Sequence, residues 1–445
     1  MTWTALELAD ALRAGRCSAV EVAREHLDLL DRLTPVVGAV AATDPERTLA
    51  DAAVADRRLR AGEAGRLEGV PLTVKDWIDV EGWPVSGATG THGGDPTRRP
   101  AADATAVARL RAAGAVVLAI TRTMASSPRH GQTRNPHDPA RAPGGSSSGA
   151  AALVAAGGSP LALGSDSGGS IRLPAAWCGV AGLKPTFGRV PLTGHFPRCG
   201  SLEDGRTVIG PLARTVDDLA AALALIAGPD GLDAGVAPVP MGDPDEVDLG
   251  ALRVGVIGDE PTAAAVSALA AAGAAVVAEH LPDVRDEALE LTRRYWGRAR
   301  LSGEEIVRLL WDWDRFRRRL LVASAGIDVV VTPATEGPAP PWRESVDTDY
   351  SWMLPWSLTG APVVVVPVGS EAGLPVAVQV VGRPWQDHVA IAAARCIEAA
   401  VPAPAAAPDL AQEVRGAAAT MRLRSVPTPS TDASTTSPGL RNSGG

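Results

Sequence analysis

The chain has 445 residues, 46% of them hydrophobic, and a formal charge of −9, enough for a large core in one to three domains. The acidic balance is spread along the sequence and argues against a nucleic-acid partner. Cys17, Cys178, Cys199 and Cys396 are scattered and the seven histidines are isolated, so no metal centre and no disulfide framework is expected.

Elements follow in chain order. The opening MTWTALELAD is acidic and amphipathic, unlike a secretory leader. Ser18-Ala19-Val20-Glu21 has capping-box spacing and predicts a helix to about Leu33. Residues 102–113 and 216–226 are Ala-rich and of helical length. Apolar runs at 116–120, 329–331, 363–366 and 376–381 read as buried strands. Strands alternating with helices predict an α/β fold, a mixed and mostly buried sheet flanked by helices. Residues 229–250, rich in Gly, Pro and Asp, read as a surface loop. The apolar stretch 262–278 is too rich in Ala and too broken for a membrane span. A cytoplasmic protein without a membrane partner is therefore expected. Arg315–Arg319 reads as a solvated helix face. From residue 401 the chain turns Pro/Ala/Ser/Thr-rich, and we expect a largely disordered tail over 401–445.

Positive charge is almost entirely Arg: 40 arginines against Lys75 and Lys184. A site that must lose a proton near neutrality cannot use Arg, because guanidinium does not titrate in proteins. Either lysine is a titrating amine or a buried ion-pair partner.

Two Gly/Ser loops bear on that choice. PGGSSSG (143–149) runs into an Ala-rich helix, placing serines at a helix N-terminus. GSDSGGSIR (164–172) reads as a tight turn whose N–H groups can converge on an anion. A serine beside such a nest suits acyl transfer, provided a base activates it. No His is placed to serve, whereas a neutral Lys can. Neither loop matches a phosphate-binding GxxxxGK[ST], and no zinc, flavin or nucleotide motif is present, so no cofactor is expected.

These segments resemble the amidase signature family: GVPLTVKD, PGGSSSGAAALVAAG, GSDSGGSIRLPAAWCGVAGLKPTFGRVP and GPLARTVDDLA, then DVVVTPATEGPAP, SLTGAPVVVVPVG and GLPVAVQVVGRPW. The likeness runs over about residues 4–400. It implies one amidase domain at 1–400, with 229–328 the variable, substrate-shaping part. It also implies a Ser–cis-Ser–Lys triad: Ser170 as nucleophile, Ser146 (after a cis Gly145–Ser146 bond) as bridge and Lys75 as base. N–H groups of Ser167, Gly168, Gly169 and Ser170 would hold the oxyanion. Asp166 and Arg172 would brace the loop, Ser147 would support Ser146, and Lys184 would be structural. A close carboxylate would keep Lys75 charged, so Asp76 is expected to point elsewhere.

The implied activity is hydrolysis of a small carboxylic amide through an acyl-Ser170 intermediate. Residues 121–126 depart from the family's usual TNxPEF, and Trp356-Ser357 replaces the Asn before LTG. Met124, Trp177 and Trp356, like Trp77, are candidate substrate residues, with core packing the alternative for the tryptophans. Other readings are biosynthetic acyl transfer with the same triad, a glutaminase-like component of a tRNA-dependent amidotransferase (its A subunit), and a non-catalytic binding protein. Many relatives dimerise, so a homodimer is open.

Overall fold

A computed structural model describes residues 3–87, 95, 97–196, 204–258, 260–277, 281–408 and 410. The strands are β1 Val40–Ala42, β2 Pro71–Lys75, β3 Val116–Thr121, β4 Ser126–Ser127, β5 Gly131–Gln132, β6 Leu161–Asp166 and β7 Ala181–Lys184. They continue with β8 Val208–Ala213, β9 Arg253–Val256, β10 Ala275–Val276, β11 Val329–Pro333, β12 Val363–Glu371 and β13 Leu374–Gly382. Eleven of them form one mixed sheet in the order β1-β3-β2-β6-β8-β7-β12-β13-β11-β9-β10, while β4 and β5 pair separately.

The four apolar runs are all strands of this sheet, and each extends beyond its expected bounds at one end or both. Alternation explains why near-continuous Val is tolerated. Val363 and Val365 enter one hydrophobic cluster while Val364 and Val366 enter the other. Both faces are thus covered, as a buried sheet requires.

Helices cover both faces, and local chemistry sets their ends. Ser18 and Glu21 form the expected capping box, but the helix Ala19–Val37 runs through Pro35 and stops only at Gly38, whose φ is 62°. Only there does a residue free of a Cβ allow the left-handed turn. Helix Thr105–Ala112 is shorter than its Ala-rich stretch, because Ala104 N–H is taken by Asp79 O and Asp103 accepts Glu81 N–H. Helix Val216–Ile226 has its expected span, and residues 229–250 hold only short 3-10 turns. The stretch 262–278 is a helix, Thr262–Ala271, followed by β10; no helix of the described residues is long and apolar enough to cross a membrane.

In Arg315–Arg319, Arg315, Arg318 and Arg319 make exposed ion pairs. Arg317 departs from a purely solvated face and donates to Leu358 O at 3.1 Å. The expected disordered tail lies outside the described residues beyond position 410, as does Cys199.

Strand directions decide where chemistry collects. β2 is parallel to β6, and β7 runs with β6 because β8 is antiparallel to both. Lys75, Asp166 and Lys184 are the last residues of β2, β6 and β7. All three therefore reach the same edge of the sheet, the carboxyl end where ligands bind in open α/β sheets.

Candidate active site

Lys75 is wholly buried at that edge. Its Nζ lies 2.8 Å from Ser146 Oγ, 3.1 Å from Ser147 Oγ, and 3.1 and 3.2 Å from Ser165 Oγ and O. Burial lowers its pKa to about 7, against the opposing pull of the Asp166 carboxylate. Nζ donates towards these oxygens, and once neutral the amine has a lone pair that can accept the Ser146 proton. The Trp77 ring, 4.6 Å from Nζ, works the other way, because an aromatic face favours the charged form. Asp76 does point elsewhere: it accepts Ser86 N–H at 2.7 Å and Ser86 O–H at 2.8 Å.

Two loops meet the lysine. The Gly145–Ser146 peptide is cis, and Ser146 O accepts Met124 N–H at 2.8 Å. Tyr350 O–H donates to Gly145 O at 3.0 Å. Ser147 is the N-cap residue of helix Ser148–Ala155, so the serines do stand at a helix N-terminus. The Ser147 hydroxyl was expected to support Ser146; it meets Lys75 and donates to Ser165 O at 3.2 Å instead.

The second loop is tied to the first by Ser147 N–H donating to Ser170 O at 3.0 Å. Its opening residues, 164–166, are strand and not turn; the tight turn starts at Ser167. Gly169 has φ 132°, and a Cβ there would fall 2.6 Å from Met353 Sδ, so only glycine fits. Ser170 is half-buried whereas Ser146 and Lys75 are enclosed. One expected oxyanion donor is committed elsewhere: Gly169 N–H donates to Asp166 Oδ1 at 2.7 Å. Ser167, Gly168 and Ser170 remain.

Asp166 and Arg172 form the expected brace. Arg172 Nε and Nη2 each lie 3.0 Å from an Asp166 oxygen, with both side chains fully buried. Burial alone would raise the Asp166 pKa, but the Arg172 charge and hydrogen bonds, with Lys184 and the Ile171 N–H, hold it at about 2. Arg172 also reaches Ser357 Oγ, Met353 O and Gln379 Oε1.

Lys184 donates to Pro185 O at 3.0 Å, in keeping with a structural role. Burial and the Arg172 charge lower its pKa to about 7, against Asp166 and Asp387.

The three proposed substrate residues diverge. Met124, half-buried with φ 69°, adjoins the Ser146 peptide. Trp177 is buried in the core and borders a 480 Å³ cavity with Arg285, Glu336 and Arg343. Trp356 is a core residue beside a 170 Å³ cavity with Leu320, Ile327 and Arg383. Sequence reading missed Ser165, although it stands in the quoted loop. It also missed Tyr350, for which no local motif gives a signal. No group of three or more His, Cys, Asp or Glu side chains suited to a metal occurs among the described residues.

Comparison with known proteins bears on this arrangement. The chain is 34% identical to the A subunit of the glutamyl-tRNA(Gln) amidotransferase of Chloroflexus aurantiacus, covering 85% of this chain and 92% of that protein. It is 32% identical to AtzE, a subunit of the 1-carboxybiuret hydrolase of a Pseudomonas species, covering 88% and 97%. Its fold is similar to that of the peptide amidase of Stenotrophomonas maltophilia, with TM-score 0.75 and 28% identity over 91% of this chain and 98% of that one. The model of the family described as Amidase matches residues 21–291 and 290–390, and this chain belongs to that family.

Proposed function

We propose that this amidase-family chain hydrolyses a small carboxylic amide through an acyl-enzyme on Ser170, with Lys75 as base and Ser146 as proton bridge. The observation that carries this reading is the buried Lys75 amine held 2.8 Å from Ser146 Oγ, with its pKa drawn to about 7 by desolvation. An amine poised near the working pH is what general-base catalysis asks for.

Neutral Lys75 takes the Ser146 proton as Ser146 takes that of Ser170. Ser170 Oγ bonds to the amide carbon, and the N–H groups of Ser167, Gly168 and Ser170 hold the oxyanion. The C–N bond then breaks as the proton returns through Ser146 to the leaving nitrogen. Water, deprotonated by the same relay, attacks the acyl ester and releases the carboxylic acid and Ser170. Ammonia or an amine is the other product.

Treatment with a small fluorophosphonate tests this by intact mass. One adduct on Ser170, lost in Ser170→Ala and slowed in Lys75→Ala and Ser146→Ala, is expected. An unlabelled wild type would sink the reading.

A second reading is supported by the relatives: two of them are named as subunits. Here the chain would work within a hetero-complex, and a homodimer is the remaining alternative. Copurification followed by mass determination of the assembly separates these. A lone monomer that releases ammonia would count against both.

A further inference from the structure

Arg206 is 1% exposed yet poorly served by its neighbours. Nη1 donates to Thr292 Oγ1 at 3.2 Å. Nε and Nη2 have no hydrogen-bond partner among the described residues. Asp204, two residues away, takes its bonds from the N–H groups of Arg206 and Thr207, the Thr207 hydroxyl and Tyr295 O–H. The guanidinium itself packs on aromatic rings, 4.1 Å from the Tyr295 centroid, 5.7 Å from Trp296 and 5.8 Å from Trp313.

The two open donors share one edge of the guanidinium. Nε–H and Nη2–H are parallel and match the two oxygens of a carboxylate. Arg172 presents this same edge to Asp166 in this molecule, at 3.0 Å on both bonds. Leaving such donors buried and unpaired is costly, so a partner is called for.

Position says where that partner comes from. β6 and β8 are antiparallel with Asp166 opposite Val208. Gly168 follows β6 by two residues in the turn and Arg206 precedes the antiparallel β8 by two, so both lie at the carboxyl edge of β6. A second contact agrees: a Cβ on Gly168 would fall 2.9 Å from Trp296 Cζ2, the ring that also covers Arg206. Trp296 is 44% exposed, so a ring that lies near the Arg206 guanidinium also meets solvent.

We infer that Arg206 is a specificity residue that pairs side-on with a carboxylate carried by the amide substrate, admitted by displacement of the Trp296 ring. This rests on the proposed amidase reading and names the substrate class: an amide bearing a carboxylate away from the scissile bond.

The test is ammonia or amine release from matched pairs. One arm compares monoamides of straight-chain dicarboxylic acids with neutral amides of equal length; the other compares N-carboxyalkyl with N-alkyl acetamides. Wild type is expected to favour the carboxylate in one arm by at least ~10-fold in kcat/KM, mostly through KM, and that arm tells which side of the bond carries it. Arg206→Gln should bring the ratio towards one. Arg206→Lys, which keeps the charge without the two-donor edge, should fall between. Calorimetric titration of free dicarboxylates reads the same site without turnover, with affinity lost in Arg206→Gln.

Neutral amides cleaved with no preference in either arm would overturn the inference while leaving the amidase reading intact. So would a preference that survives Arg206→Gln, even if both rates drop together. Dicarboxylates that bind through Arg206 to a protein whose Ser170 is never labelled would instead overturn the amidase reading and keep the anion site.

Discussion

Lys75 and Lys184 are the chain's only lysines, both are fully buried at the same edge of the sheet, and both have pKa values lowered to about 7. Their surroundings differ. Lys75 is ringed by the hydroxyls of Ser146, Ser147 and Ser165, whereas Lys184 donates to a backbone carbonyl and is pushed down in part by the Arg172 charge. A depressed lysine is thus not by itself a sign of catalysis. What separates the two is a neighbouring hydroxyl whose proton the amine can take.

The sharpest way to break this comparison is to remove each amine in turn. Lys75→Ala and Ser170→Ala should each lower kcat/KM on an amide substrate by ~10³-fold or more, and Lys75→Arg should not restore it, because guanidinium cannot serve as the base. Lys184→Met should keep fluorophosphonate labelling of Ser170. Equal losses in the Lys75 and Lys184 variants would mean that the hydroxyl ring does not distinguish them.

Asp166 links the two sites, since its charge raises both lysine pKa values. Asp166→Asn strips the buried Arg172 of its partner and should cost about 3–5 kcal/mol in denaturant unfolding. A loss below about 1 kcal/mol, the size of an ordinary hydrogen bond, would show that Ser357, Met353 and Gln379 hold Arg172 unaided.

Stability should treat the lysines alike even though activity does not. Each has a folded pKa near 7 against an ordinary value of 10.5. Between those values the unfolded chain binds more protons, so each lysine makes stability rise with pH across that window. As pH falls from 10.5 towards 7 this contribution is lost, and below 7 it changes no further. Lys75→Met and Lys184→Met should each flatten the pH dependence of Tm there. Flattening in one variant only would show that the other lysine is paired and charged when folded.

The smallest effect concerns the aromatic neighbour. With Lys75 required neutral, kcat/KM should fall on the acid side of about pH 7. Replacing Trp77 by Leu removes a ring that favours the charged amine, so the acid limb should move down by ~0.5 unit or more. An upward move would mean that Trp77 acts on Lys75 mainly by excluding water.

By itself the sequence settled the class of fold, four of the eleven strands of the buried sheet, the Ser18 cap and the pieces of the site. Val runs, capping spacings and contiguous Gly/Ser loops are local patterns, and local chemistry is enough to read them. It also singled out Lys75, because a nearly lysine-free chain makes a retained amine conspicuous. Tertiary structure decided everything that depends on strand direction and neighbours. Lys75, Asp166 and Lys184 share one edge only because β2, β6 and β7 run the same way. Tyr350 meets Gly145 across 205 residues, a contact that no local pattern encodes. The Gly169 N–H turned to Asp166 because the buried Arg172–Asp166 pair claims that carboxylate and its orientation. Arg206 is ordinary in sequence and becomes informative only once burial leaves one edge of its guanidinium open. Periodicity and motif report what a residue can do, and the low-dielectric interior assembled by folding decides which of those capacities are expressed.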